Sequence, residues 1–514
     1  MILLRFSAYH TLLLLSLVLF GAPGVVGADE PLPVSDPAVA QFHSEVDAVL
    51  SNACPKGMRA GAKFYSLDRK EVLYARNSDS LFTPASNMKI FTSAMALKKV
   101  GPDYRFHTRL YTNGRIVGTV LKGDLFIKGF GDPSLVTEQM WILVNELKNL
   151  PITKVEGNII ADNTYFDRQG RLPTWKSYRG SEGYLAPMGA LSFNFNTVTV
   201  HVGPGKKVGD PAQVVIDPDL GYFRIQNSAV TSKSKRSRRK LIVTRLGRKD
   251  HDVIVVKGRL PKNVARKKFY LNVTDPQLYT ASAFSRFLYQ AGVKVTGQVK
   301  EDVVPQTATL LVDHESPPLG EILRGLNKFS NNFIAEQILK ALGAEFFGEP
   351  GTTANGLLLM QDFMQELGFT PEQYRIVDGS GLSKTNLVTP DMVVALLEEA
   401  HSDFSIFPEF VSALGVMGLD GSVIDRMHHK KEAQRIRVKT GTLNHVSALS
   451  GYFQSSDGER FAFSILLNDV HCSNGKATQL EDDIMEIALK FQREESPEEG
   501  EPQIQYGGGI LKQN

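Results

Sequence analysis

The sequence has little cysteine and, after its first residues, no long apolar run. Only Cys54 and Cys472 occur among 514 residues, too few for a small protein held together by disulfides. These two cysteines are either paired, if the two ends of the chain pack side by side, or unpaired. No stretch after residue 28 is apolar over the roughly 20 residues that a membrane-spanning helix needs. The sequence therefore predicts no stable membrane anchor.

Neither the charge distribution nor the histidine spacing indicates a nucleic acid, a lipid surface or a metal ion as a ligand. The 58 basic and 55 acidic residues give a net charge of +3, which gives no support for nucleic-acid binding. The basic run at residues 233–240 favours a solvated loop over contact with an anionic polymer or a lipid surface. His428 and His429 lack the spacing of metal ligands, so we expect a loop there and no metal site.

The two ends of the chain differ in composition from the rest. Arg5, an apolar run at residues 11–20 and small residues ending at Ala28 predict a secretory signal peptide over residues 1–28, cleaved after Ala28. An uncleaved anchor is the alternative, but the apolar run is short for a membrane span. The mature protein is therefore predicted to be exported. Residues 494–514 are acidic and then glycine-rich, which predicts a disordered tail.

The pattern of predicted elements divides the chain between these ends. Residues 29–104 carry a helix, two strands and a second helix, whereas residues 105–274 are mostly short strands separated by turns. Residues 275–493 return to helices and close with three strands and a final helix. We therefore predict an α+β domain formed by residues 29–104 and 275–493, with helices covering an antiparallel sheet. A β-rich accessory module, residues 105–274, is inserted after its second helix.

Ser86 and Lys89 form a Ser-x-x-Lys pattern at the predicted start of that second helix. Their spacing places the hydroxyl and the amine on one face, one turn apart. A desolvated lysine can accept the serine proton, and the helix N-terminus offers backbone N–H groups to an oxyanion. The pattern alone is common on surface helices, so it needs support from elsewhere in the chain.

Two further motifs supply that support. Lys439, Thr440, Gly441 and Thr442 are predicted at the end of a late strand, where the glycine would let a substrate backbone approach closely. Ser330-Asn-Asn332 opens a predicted helix, and either Ser330 or the next residue, Asn331, could simply be its N-cap. Ser-x-x-Lys, Ser-x-Asn and Lys-Thr-Gly in this order are the signature of class A β-lactamases and penicillin-binding proteins.

The chain resembles the D-alanyl-D-alanine carboxypeptidase/endopeptidase family of penicillin-binding proteins, the penicillin-binding protein 4 type. The likeness spans most of the mature chain and includes the motifs at residues 130–133, 157–166, 184–191 and 378–383. The resemblance implies a discontinuous serine β-lactamase/transpeptidase-like domain, an antiparallel sheet with helices on both sides, and a long insertion after the nucleophile helix. It implies no metal and no organic cofactor.

The resemblance also implies roles for the motif residues. Ser86 would be the acylated nucleophile and Lys89 its general base, and Ser330 would relay a proton to the leaving group. Asn332 would hold the acyl chain and Lys89. Lys439 would supply positive charge for Lys89 and for the substrate carboxylate, which Thr440 and Thr442 would also bind. The backbone N–H groups of Ser86 and Thr442 would form the oxyanion hole.

The family also places an acidic residue of the inserted module at the mouth of the cleft, where it meets a free amine of the substrate. Asp162 fits that motif best, and the alternative is a turn aspartate after a strand. Asp378 and Gly379 are also consistent with a tight turn.

The resemblance implies an exported, periplasmic serine hydrolase that cleaves D-alanyl-D-alanine bonds in peptidoglycan stem peptides and is acylated by β-lactams. One alternative is a β-lactamase or esterase on the same scaffold, and another is a cell-wall binding protein without turnover. The sequence leaves the oligomeric state open, a homodimer included.

Overall fold

A computed structural model describes residues 36–51, 57–175, 178, 180–233 and 240–493. The predicted signal peptide, the predicted disordered tail, Cys54 and most of the basic run lie outside these residues. Cys472 is disulfide-bonded. Among the described residues, no helix combines the length and apolar character that crossing a bilayer requires.

Helices and short strands alternate along the described chain. The helices are α1 (Pro37–Ser51), α2 (Met88–Val100), α3 (Thr137–Lys148), α4 (Pro276–Gln290), α5 (Leu319–Lys328), α6 (Asn332–Phe347), α7 (Thr353–Glu366), α8 (Pro390–Ser402), α9 (Phe407–Ala413) and α10 (Asn474–Lys490). The strands are β1 (Arg59–Ser66), β2 (Glu71–Arg76), β3 (His107–Thr112), β4 (Arg115–Val117), β5 (Val120–Lys122), β6 (Leu125–Gly129), β7 (Lys154–Glu156), β8 (Ile159–Asp162), β9 (Thr197–Gly203), β10 (Gln213–Asp217), β11 (Phe223–Asn227), β12 (Val230–Ser232), β13 (Ile242–Gly247), β14 (Asp252–Lys257), β15 (Arg259–Pro261), β16 (Lys267–Asn272), β17 (Lys294–Val295), β18 (Val299–Glu301), β19 (Thr309–Glu315), β20 (Gly415–Val416), β21 (Arg437–Leu443), β22 (Val446–Gln454) and β23 (Arg460–Asn468).

One antiparallel sheet joins the two ends of the chain. Its strand order is β2-β1-β23-β22-β21-β20, so β1 pairs with the last strand of the sequence. Side chains alternate between its faces. Phe64 and Phe463 pack on one face with α1 and α10, whereas Tyr452 and Leu466 pack on the other with α2, α6 and α8. The predicted sheet with helices on both sides is therefore confirmed.

The β-rich module has a core of its own. Its sheets include the orders β18-β8-β6-β3-β19 and β17-β7-β5-β4. The strands β17, β18 and β19, whose residues fall in the range predicted for the α+β domain, pair with strands of the module. Tyr279 and Phe284 of α4 also lie in the module's core. Because these contacts run to Glu315, we propose that the module comprises residues 105–315, beyond the predicted boundary at residue 274.

Ser86 lies at a helix start, as predicted, whereas the predicted end of the strand before Thr440 is wrong by a few residues. Ser86 precedes α2 in a 3-10 turn, Ala85–Asn87. The Lys-Thr-Gly motif lies inside β21, since that strand continues to Leu443. The two motifs are adjacent, because the 3-10 turn that carries Ser86 packs against β21 and β22.

Candidate active site

Ser86 is held in a tight turn between β21 and the 378–383 loop. Ala85, the preceding residue, has a left-handed φ of 48°, a strained backbone for an alanine. A Cβ at Gly381 would lie 1.7 Å from the carbonyl oxygen of Ala85, and Gly381 itself has a φ of 78°. Glycine is therefore required where the loop meets the nucleophile turn. Ser86 remains partly exposed.

Lys89 lies directly behind Ser86 and is fully buried. Its Nζ lies 3.0 Å from Ser86 Oγ, 2.7 Å from Asn332 Oδ1 and 2.6 Å from the carbonyl oxygen of Ser380. Burial lowers the pKa of Lys89 to about 7, chiefly against the opposing charge of Asp378. A free amine next to a serine hydroxyl is therefore accessible near neutral pH.

Asn332 is the first residue of α6 and joins three parts of the site. Its Oδ1 accepts a hydrogen bond from Lys89, and its Nδ2 donates one of 3.1 Å to the carbonyl oxygen of Tyr184 in the module. The N-cap of α6 is Asn331, whose side chain accepts from the Ile334 N–H. This leaves Ser330, with a left-handed φ of 55°, free of the capping role.

Lys439 connects the second and third motifs. Its buried Nζ donates to Ser330 Oγ at 3.0 Å and to the carbonyl oxygen of Thr440 at 2.7 Å. Burial, with the charge of Lys89 adding to it, lowers the pKa of Lys439 well below the usual range. Thr440 Oγ1 shares a hydrogen bond of 2.9 Å with Ser422 Oγ, a contact that the sequence analysis did not identify.

Gly441 and Thr442 continue along β21. A Cβ at Gly441 would lie 2.7 Å from the carbonyl oxygen of Pro84. The absence of a side chain at Gly441 therefore lets the turn that carries Ser86 pack against β21. Thr442 is exposed. On the side of β21 away from β22, β20 pairs only with Arg437 and Val438. Among the described strands, the edge of β21 beyond Val438 is therefore open to an extended peptide.

Asp162 does not join the other predicted site residues. It is fully buried at the end of β8. One carboxylate oxygen accepts from the N–H and hydroxyl of Thr164 at 2.8 and 2.6 Å, and the other accepts from the Val304 N–H at 2.8 Å. These bonds correspond to the turn role that the sequence left open, and in this structure both carboxylate oxygens are engaged within the module.

The 378–383 loop is the part of the site whose function the sequence analysis missed. Each oxygen of the buried Asp378 carboxylate accepts two hydrogen bonds. Oδ1 accepts from Gly381 N and Asn386 Nδ2. Oδ2 accepts from Ser383 N and Trp175 Nε1. These bonds shape the loop so that the carbonyl of Ser380 points at Lys89. The Asp-Gly-Ser-Gly-Leu-Ser motif was the available signal, but its turn chemistry alone does not reveal what the turn contacts.

Within the ranges that the structure describes, no three histidine, cysteine or acidic side chains lie together in a way that could hold a metal ion. The groups that meet at Ser86 are instead two lysines, two hydroxyls and an amide. This donor set fits acyl transfer to an activated serine.

The chain is similar to known proteins over most of its length. A model of the D-Ala-D-Ala carboxypeptidase 3 (S13) family matches residues 42–490. A D-alanyl-D-alanine carboxypeptidase of Actinomadura sp. (strain R39) is 33% identical over 479 residues, covering 90% of this chain and 87% of that protein. A second such enzyme, from Haemophilus influenzae, is 25% identical over 423 residues, covering 82% of this chain and 87% of that protein.

A solved structure supports the fold independently. The crystal structure of penicillin-binding protein 4 from Haemophilus influenzae matches with a TM-score of 0.76 and 24% identity, over 87% of this chain and 99% of that one. This confirms the transpeptidase-like domain with a β-rich module. On the family match and the Actinomadura relative together, the chain belongs to the D-Ala-D-Ala carboxypeptidase 3 (S13) family.

Proposed function

We propose that the protein is a serine D-alanyl-D-alanine carboxypeptidase and endopeptidase acting on peptidoglycan stem peptides through an acyl-enzyme on Ser86. The observation that carries this proposal is the position of Lys89, whose buried Nζ lies 3.0 Å from Ser86 Oγ. A lysine that can be neutral near pH 7 is a competent general base for a serine hydroxyl.

Acylation uses this pair first. Ser86 Oγ attacks the carbonyl carbon of the D-Ala-D-Ala bond while Lys89 Nζ accepts the hydroxyl proton. The backbone N–H groups of Ser86 and Thr442 donate to the tetrahedral oxyanion. The C–N bond then breaks, and the leaving D-alanine nitrogen takes the proton that Lys89 gained, relayed through Ser330 Oγ.

Deacylation reverses these proton transfers with water in place of the amine. Water adds to the ester carbonyl and gives a proton to Lys89. The bond to Ser86 Oγ breaks, and the oxygen recovers the proton. No oxidant, reductant or further group enters the balance. The same attack on a strained β-lactam amide leaves an ester on Ser86, which accounts for inhibition by these compounds.

Lys439, Thr440 and Thr442 are proposed to bind the terminal carboxylate of the substrate. Burial favours the neutral form of Lys439, and an incoming carboxylate opposes this by stabilising its ammonium. Ser422, which shares a hydrogen bond with Thr440, holds that hydroxyl in place. Such a site prefers a peptide with a free C-terminus, and it also fits the carboxylate of a penicillin.

We propose an exported, periplasmic location, supported by the character of residues 1–28 in the sequence. The substrate of such an enzyme, peptidoglycan, lies in that compartment. A β-lactamase or esterase on the same scaffold differs in its rapid deacylation of penicillin.

The test is release of D-alanine from a model peptide ending in D-Ala-D-Ala. We expect release by the mature protein and none by Ser86→Ala. A matched peptide ending in L-Ala-L-Ala controls for contaminating peptidases. If the folded wild-type protein releases no D-alanine yet consumes penicillin, the β-lactamase alternative replaces this proposal. If it does neither but still binds cell walls, the protein is a binder without turnover.

A further inference from the structure

A buried carboxyl group lies one helical turn from Asn332, and the mechanism above does not use it. Glu336 follows Asn332 by four residues in α6, so both side chains lie on the same helix face. Its side chain is fully buried. A buried acidic group this close to a general base needs a physical reason.

Glu336 is linked to Lys89 through the backbone of one residue, Ser380. Its Oε1 accepts a hydrogen bond of 2.8 Å from the N–H of Ser380. The carbonyl oxygen of the same Ser380 lies 2.6 Å from Lys89 Nζ. Glu336 therefore anchors the residue that holds the lysine, and a shift of Ser380 would move the amine relative to Ser86.

The second oxygen of Glu336 has a different environment. Oε2 is buried and accepts no well-formed hydrogen bond from the described residues. The Ser380 side chain and the Gly379 N–H lie close enough to the carboxyl group to oppose the rise in its pKa, but they do not outweigh burial. An ionised carboxylate would leave a large uncompensated charge there, whereas a protonated carboxyl leaves only an unpaired hydroxyl. The geometry thus favours the neutral acid.

The charged groups around Glu336 also favour its neutral form. Asp378, in the loop, is a carboxylate whose two oxygens accept four hydrogen bonds. Lys340, one turn further along α6, is already paired with Asp167 at 2.5 Å. Lys89 is a second cation that faces Glu336. Burial first, and then the charge of Asp378, raise the pKa of Glu336 far above its usual range.

We propose that Glu336 is a positioning residue that holds Ser380 as a neutral acid, so that the shared proton lies on its carboxyl group and Lys89 remains a free amine. This inference rests on the proposed role of Lys89. In the alternative arrangement, Glu336 is a carboxylate and Lys89 an ammonium, which cannot accept the Ser86 proton. The two arrangements contain the same number of protons and differ only in where one of them lies.

The two arrangements predict different pH profiles for Glu336→Gln. Glutamine keeps the acceptor for Ser380 N–H and cannot ionise. If Glu336 is already neutral, the acid limb of the pH–rate profile for β-lactam acylation is the same in this variant as in the wild type. If Glu336 is a carboxylate, its removal lowers the pKa of Lys89, and the acid limb moves down by about one pH unit or more. That shift would overturn the proposal.

Glu336→Met tests the positioning role at nearly constant volume. Methionine offers no comparable acceptor, so Ser380 N–H loses its partner. We expect acylation to slow by about 10-fold or more in this variant and to remain near the wild-type rate in the glutamine variant. Equal rates in both would contradict the positioning role. Glu481→Gln is the matched control, since Glu481 is also buried but pairs with Arg426 beside α10.

Infrared spectroscopy tests the proton position without turnover. We expect the wild type at pH 7 to show the carbonyl band of a protonated carboxyl that Glu336→Gln lacks and Glu481→Gln retains. Absence of such a band in the wild type overturns the proposal even if the glutamine variant fails to fold. Because this measurement does not depend on acylation, it also separates failure of this inference from failure of the proposed function.

Discussion

The indole Nε1 of Trp175, in the inserted module, donates a hydrogen bond of 2.9 Å to Asp378 Oδ2, in the loop that holds Lys89. Both side chains are buried. Leu172, Leu185 and Met188 of the module pack with Trp175 against Leu382 of the same loop. The module is therefore a structural part of the active site, because it supports the loop on which the position of the lysine depends.

Trp175→Phe is expected to weaken this support while keeping most of the apolar contact. Loss of a hydrogen bond to a buried carboxylate costs about 1.5 to 3 kcal/mol. We expect a lower melting temperature and slower acylation by a fluorescent penicillin. Trp141→Phe is the matched control, since Trp141 is 61% exposed in the same module. Equal effects of the two substitutions would show that the contact with Asp378 is unimportant.

The pH dependence of acylation follows from the amine of Lys89. Its pKa in the folded protein is about 7, lowered from 10.5 mainly by burial. Below that value the ammonium form predominates and cannot accept the Ser86 proton. We therefore expect the acylation rate to fall as the pH decreases through about 7, measured over a series of buffers at constant ionic strength. A rate that is flat from pH 5 to 9 would contradict a lysine base.

The lowered pKa of Lys89 also makes the stability of the protein depend on pH. Between pH 7 and 10.5 the unfolded chain binds a proton at Lys89 that the folded protein does not bind. The contribution of Lys89 to the free energy of unfolding therefore rises with pH across this window. In Lys89→Met this contribution is absent, so denaturant titrations should show a weaker rise than in the wild type. An unchanged slope would mean that Lys89 remains charged in the folded state.

Lys89→Met should also separate catalysis from stability. Removal of the base should slow acylation by about 10²- to 10⁴-fold. The stability lost with its bonds to Asn332 and Ser380 should be partly offset, because the desolvated amine is also removed. Lys340→Met is the contrasting variant. Lys340 is equally buried but bonds to Asp167 and to the carbonyl of Gln169. Its loss should destabilise the protein by about 1 to 3 kcal/mol and leave the acylation rate of the folded protein largely unchanged.

Gly381→Ala tests the fit of the loop against the nucleophile turn. The added Cβ would lie 1.7 Å from the Ala85 carbonyl oxygen, at a φ that alanine avoids. We expect a large drop in melting temperature or, in any folded protein, slow acylation. Gly475→Ala is the control, because a Cβ there meets nothing within 4 Å in the first turn of α10. It should be neutral or slightly stabilising.

The parts of the site that were predictable from sequence are those in which chemistry restricts the residue type. Few residue types can replace Ser86, Lys89 and Lys439 in the proposed roles of nucleophile, base and carboxylate-binding cation, so three short motifs were enough to propose them. The contact of Ser380 with Lys89 spans 291 positions and uses a backbone carbonyl, which any residue supplies. No local pattern in the sequence could have indicated it.

The same reasoning explains the other differences. Asp162 ends a strand in a motif that resembles a family feature. The N–H of Val304, which donates to its carboxylate, comes from a residue 142 positions away. The strands β17 and β18 contain two and three residues and pair in parallel with strands about 140 positions away. Such short strands carry little periodicity, so the end of the module could not be located from the sequence.

The most direct test of acyl transfer to Ser86 is to locate the acyl group. The mature protein and Ser86→Ala are each incubated with a fluorescent penicillin, denatured, digested and analysed by mass spectrometry. We predict a label on the wild-type peptide that contains Ser86, and no label on the variant. A label on another residue, or an equal label on both proteins, would contradict Ser86 as the nucleophile.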